Sequence, residues 1–168
     1  MTILILAILS LVNFFIQSSV LPYVSISGVV PNTALVLIIC IATYKGRYYG
    51  GFFGLIIGLL QDVLFSSVIG INAFIYFFLG YFVGTMEHRL IRDSVVVPIL
   101  FSIIGVIYYN FAYYIFMYFL SRNIPFLSFT REIILIEMIY TAVLSIPIYK
   151  AFEYKFKEPT ISFGNKQR

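Results

Sequence analysis

The sequence predicts an all-α integral membrane protein, a six-helix transmembrane bundle with both its N and C termini cytoplasmic. Three observations carry that expectation. Hydrophobic residues make up 61% of the 168 residues and charged residues only 11%, against roughly 45–50% and about 25% in a soluble domain. The apolar residues gather into six runs separated by polar or basic connections. Most of the basic residues fall on one side when those runs alternate across a membrane. The net charge of +4 therefore reads as basic residues crowding one membrane face, and no nucleic-acid partner is expected.

The first run, Thr2–Leu21, lacks a basic leader, and no small-residue cleavage motif follows Ser19. It is expected to stay as an uncleaved helix. The second, Pro31–Tyr44, opens on a proline that suits the first turn of a helix. The third is Tyr49–Ser66 and the fourth Ile71–Met86. The second and fourth fall short of the ~20 residues that cross a bilayer, so either flanking residues extend them or the bundle packs tightly around them. The fifth, Val95–Leu120, carries Pro98 near its start. The sixth, Glu132–Tyr149, carries Pro147, which should kink or end it. Residues 1–150 thus form one six-helix transmembrane domain, and residues 151–168 a short basic cytoplasmic tail.

Orientation follows from the cations. With a cytoplasmic amino terminus, the inner segments hold Lys45, Arg47, Arg89, Arg92, Lys150, Lys155, Lys157, Lys166 and Arg168. The outer connections hold only Arg122 and Arg131. Nine against two is a strong inside bias.

Polar residues inside the runs carry the functional information. Gly50, Gly54, Gly58 and Asp62 recur every four residues, so a helix lines them up as one slowly spiralling stripe. Gly80 and Gly84 repeat the spacing in the fourth run. Such small-residue faces let two backbones approach closely, so the third and fourth helices are expected to pack as a tight antiparallel pair, or to meet a partner chain. Asp62 lies about 15 residues from Arg47, roughly 22 Å at 1.5 Å per residue, in the outer half of the bilayer. Glu137 lies at a similar depth, about 9 Å from Arg131. Gln17, Asn72 and Asn110 fall in the same layer, giving an outer-leaflet polar cluster of Gln17, Asp62, Asn72, Asn110 and Glu137. A charge at mid-bilayer costs about 2.5–3.5 kcal/mol on insertion scales. The cluster is therefore either a hydrogen-bonded clamp between helices or a site for a substrate or ion. Tyr108, Tyr109, Tyr113, Tyr114 and Tyr118 crowd the fifth run and read as an interfacial belt.

Catalytic patterns are not found. His88 is the one histidine, in a mixed-charge inner loop, and neither Cys40 nor any serine has a histidine beside it in a recognisable motif. There is no phosphate-binding glycine loop and no nucleophile elbow. A carboxylate pair of Asp62 and Glu137 would be the sole basis for an enzyme, without a supporting motif. No cofactor or metal is expected.

The stretch VPNTALVLIICIATYKGRYYGGFFGLIIGLLQDVLFSSVIGINAFIYFFLGYFVGTM, Val30 to Met86, resembles the rod shape-determining protein MreD family. The matching elements are Pro31, the basic turn Lys45–Arg47, and G-x-x-x-G-L-x-x-D through Gly54, Gly58, Leu59 and Asp62. The turn Gly70-Ile71-Asn72-Ala73 and the pair Gly80-Tyr81 follow. Gln61 departs from the pattern. The resemblance implies a non-catalytic subunit of the bacterial cell-elongation machinery in the inner membrane. Its implied partners are a bitopic MreC-like protein, MreB filaments, and the peptidoglycan synthase RodA with its transpeptidase; membrane lipid surrounds the chain, and the sequence leaves a homo-oligomer open. The implied fold is also similar to that of substrate-binding S components of energy-coupling-factor vitamin transporters, which supplies the alternative reading. Against it, Phe14 and Phe15 interrupt the small-residue face that a coupling subunit would need on the first helix.

Overall fold

The computed structural model describes residues 2–25, 28–66, 68–86, 96–120 and 132–156. Among them the regular structure is helical apart from an isolated bridge at Val29. In chain order the helices are α1 (Thr2–Phe15), α2 (Thr33–Lys45), α3 (Arg47–Phe65), α4 (Ile71–Thr85), α5 (Val96–Phe119) and α6 (Glu132–Phe156). A π-helical turn, Ile16–Val20, and a 3-10 turn, Leu21–Val24, prolong α1. Four segments are long and apolar enough to cross a membrane: Leu6–Val24, Arg47–Phe65, Val96–Phe119 and Ile134–Tyr154.

α2 and α4 are the exceptions, at 13 and 15 residues, or about 20 and 22 Å of helix. Flanking residues do not lengthen them. α2 is instead enclosed by protein, every residue from Thr33 to Thr43 being buried. A helix that is apolar on all sides is stable where neighbours surround it, and here α3, α4, α5 and α6 all pack on it. Its start differs from expectation. Pro31 lies outside the helix, and Asn32 is the cap, its side-chain oxygen accepting the Leu35 N–H at 3.0 Å. The asparagine oxygen satisfies an amide that the first turn leaves unpaired, a role proline cannot fill.

Gly46, at φ 85°, is the single residue between α2 and α3. That left-handed conformation suits glycine and folds α3 back so that Gly50 lies against Ala42. α3 and α4 form the most extensive pair in the molecule. They run antiparallel, with Gly50 facing Gly80, Gly54 facing the Tyr76 carbonyl, Gly58 facing Ala73, and Gly84 facing Arg47. A Cβ at any of these five glycines would come within 3.0 Å of the opposing backbone. The stripe is therefore spent on intramolecular contact. The opposite face of α3 leaves Phe52, Ile56 and Val63 exposed, as lipid or a partner helix requires.

α5 buries Pro98, Ser102, Gly105, Val106, Asn110 and Met117 and packs chiefly on α6. Pro147 does not end α6, which continues through it for nine further residues to Phe156. The residue is exposed, and the helical turns on either side of it are kept. Ala151–Phe156, expected as the start of the tail, are thus helical. The rest of that tail, the inner loop Glu87–Asp93, and Arg122 and Arg131 lie outside the described residues.

Candidate functional site

Asp62 sits in the last turn of α3, fully buried at 0% exposure. An acid at a helix C-terminus faces the unfavourable end of its own helix dipole. Here it is turned across the short connection onto the start of α4. One carboxylate oxygen accepts the N–H of Gly70 at 2.9 Å and that of Ala73 at 3.0 Å, and the other accepts Asn72 N–H at 3.1 Å. Gly70 precedes α4 with φ 104° and has no side chain to cap it. Asp62 therefore does the capping from the neighbouring helix, where the charge meets the positive end of the α4 dipole and unpaired amides at once.

Asn72 carries the connection onward. Its amide nitrogen donates to Ser66 Oγ at 2.8 Å, and its carbonyl oxygen accepts the Tyr109 hydroxyl of α5 at 2.8 Å. The Tyr109 ring stacks on Tyr76 of α4, centroids 5.3 Å apart. Tyr76 donates its hydroxyl to Asn32 Oδ1 at 3.0 Å, and Asn32 N–H donates to Thr141 Oγ1 of α6 at 3.1 Å. On the same side of the bundle core, Asn110 Nδ2 donates to Glu137 at 2.9 Å and to the Val106 carbonyl at 2.9 Å. The Glu137 side chain also faces Asn32. Gln61 Nε2 donates to Gln17 Oε1 at 2.7 Å, tying the π-helical end of α1 to α3.

The expected polar cluster thus falls into three bonded groups. Asp62 joins Asn72, Asn110 joins Glu137, and Gln17 joins Gln61. Between Asp62 and Glu137 run Asn72, Tyr109, Tyr76 and Asn32. Tyr118 is exposed, whereas Tyr109, expected in the interfacial belt, turns inward to bond Asn72. Several members escaped the sequence reading. Asn32 had a signal, since Pro-Asn before an apolar run is a helix-start pattern. Tyr76, Tyr109 and Thr141 had none, because nothing in a tyrosine-rich or apolar run says which hydroxyl faces a partner.

Chemically, the arrangement is occupied. The Asp62 oxygens are committed to three amides, and Glu137 is bonded to a carboxamide. Among the described residues no three His, Cys, Asp or Glu side chains gather as metal ligands. Beside the network, a cavity of about 400 Å³ opens between α1, α3, α4 and α5, lined among others by Gln17, Gln61, Ser66, Asn72, Tyr109 and Tyr113.

The family model described as rod shape-determining protein MreD matches residues 1–155 of the chain. No curated protein and no solved structure matches it.

Proposed function

The chain belongs to the MreD family of rod shape-determining proteins, and from that membership we propose that it serves as a non-catalytic membrane scaffold of the cell-elongation complex. It is a multi-pass protein of the bacterial cell membrane with a role in cell shape. The proposed role is finer: it links a bitopic MreC-like protein, and through it MreB filaments, to peptidoglycan synthesis by RodA and its transpeptidase. The proposed topology has six crossings with both termini in the cytoplasm, as the nine-to-two distribution of basic residues favours. The short α2 crosses within the protein's own interior in this arrangement, whereas α4 also presents Phe74 and Phe82 outward.

The observation that carries the reading is how the buried acid is used. Asp62 closes the α3–α4 hairpin through three amides, which is work of architecture and commits its carboxylate oxygens to backbone. The exposed apolar faces of α3 and α5 are open to lipid or to the helices of a partner in this reading. Co-purification tests it. Extracted in mild detergent, the protein should bring down its MreC-like partner, and failure to recover that partner from native membranes would count against the scaffold.

The alternative is a substrate-binding subunit of a vitamin transporter, which the polar-lined cavity favours. It predicts vitamin uptake that depends on this chain, and normal rod shape in its absence.

A further inference from the structure

We propose that the cavity between α1, α3, α4 and α5 is a binding site for an uncharged, hydroxyl-bearing ring of the sugar type. The inference stands apart from the scaffold role, since it rests on the cavity and the turn of backbone beside it. At about 400 Å³ the space falls within the ~300–1,000 Å³ range of small-molecule sites. Its floor is polar and buried, with Gln61 7% and Asn72 5% exposed. Its rim, at Pro22 and Phe65, is exposed. Ser66 follows the last residue of α3, so the opening lies at a helix end.

The lining selects against charge. None of its residues is ionised at neutral pH: Gln17, Ser18, Gln61, Ser66, Asn72 and two tyrosines supply its polar groups. Asp62 is adjacent in sequence to Gln61 yet faces the α4 amides. An anionic ligand would lose its hydration and find no counter-charge in the lining, a large penalty in a partly buried site. A neutral ligand finds unused hydrogen-bonding capacity. Gln61 Nε2 is committed to Gln17 Oε1, which leaves the Gln61 carbonyl as acceptor and the Gln17 amide nitrogen as donor, side by side. Ser66 Oγ accepts from Asn72 and keeps its proton to donate. Tyr109 and Tyr113 stack at 5.9 Å and add an aromatic wall against which the C–H face of a sugar ring can lie. Carboxamides and hydroxyls that both donate and accept, beside aromatic rings, match a polyhydroxylated ring better than a purely apolar or ionic group.

The backbone around the cavity adds an independent sign. Gln17 and Ser18 belong to the π-helical turn Ile16–Val20, and π-turns within helices concentrate at functional sites. That turn widens α1 where it faces Gln61.

Thermal unfolding of the full chain in detergent, followed by tyrosine fluorescence, tests the proposal. Glucose and N-acetylglucosamine, with glucuronate and glucose 6-phosphate as charged counterparts, serve as soluble probes. Nanodiscs with a neutral diglucosyl lipid or with phosphatidylglycerol serve as lipid probes. The expected result is a saturable rise in Tm with the neutral sugars, the neutral glycolipid or both, and none with the charged counterparts. A response to the glycolipid alone assigns the ring to a lipid headgroup, and a response to both assigns it to saccharides generally. The apparent affinity should fall about tenfold or more in Gln61→Leu. Tyr113→Phe, which removes only one hydroxyl, should also weaken binding and serves if Gln61→Leu fails to fold. No shift with any neutral probe overturns the proposal. So does an equal response to charged and neutral probes, or binding that neither substitution alters.

Discussion

Many polar side chains within these helices are held by a particular partner, although the buried Thr33 and Ser102 hydroxyls have none, and Asp62 is the extreme case. A carboxylate with three amide donors is a strong, charge-assisted arrangement. Asp62→Asn keeps an acceptor but turns an amide donor toward amide donors. It should lower stability by about 3 kcal/mol, read as earlier thermal unfolding in detergent; an unchanged transition would refute the cap. Asn32 serves the α2 amide and the Tyr76 hydroxyl with one oxygen. Asn32→Ala should therefore cost about 2 kcal/mol, and Tyr76→Phe about 1 kcal/mol, and their effects should fall short of additive because they share a bond. At this scale the sequence was legible in part. Gln17, Asp62, Asn72, Asn110 and Glu137 stand out because polar residues in apolar runs are costly. Which of them meet is set by helix rotation, which residue identities do not encode. Tyr109 illustrates the limit, since its neighbours on the same run include exposed tyrosines.

Among the elements, the α3–α4 hairpin organises the rest. Two glycines one turn apart provide a sharp comparison. A Cβ at Gly54 would overlap the Tyr76 carbonyl, whereas one at Gly51 would lie 3.4 Å from the flexible ring of Phe77. Gly54→Ala should destabilise by about 2 kcal/mol or more because backbone must move. Gly51→Ala should be near neutral, helped by alanine's higher helix propensity of about 1 kcal/mol. Equal unfolding temperatures for the two variants would show that the seam is not as close as described. The hairpin was readable from four-residue glycine spacing and a short turn. The start of α2 and the course of α6 were not. Pro31 and Pro147 both mark local preferences, and a cap from Asn32 in one case and intact flanking turns in the other decided the outcome.

For the whole molecule, the buried α2 acts as the axle, and the ends of α1, α3, α4 and α5 gather the polar groups at one side of the bundle. Composition and hydropathy made this class readable; the enclosure of the 13-residue α2 was one of two alternatives its short length left open, because burial by neighbours leaves no mark that distinguishes it from burial in lipid. Sidedness can be measured in intact cells. Cys40 is buried, so Cys40→Ala supplies a silent background, with Ile69→Cys and Tyr154→Cys as reporters at exposed positions. An impermeant thiol reagent should label the first from outside and the second only after permeabilisation. The reverse pattern would invert the proposed topology.

The scaffold account rests on architecture held by a buried acid, and cell width measures it most directly. In a strain whose sole copy carries Asp62→Leu, the apolar replacement should insert in near-normal amounts, because leucine favours the bilayer. The hairpin would lose its clasp, and cells should widen and round. Normal rods of unchanged width, with the variant present in the membrane, would contradict the account.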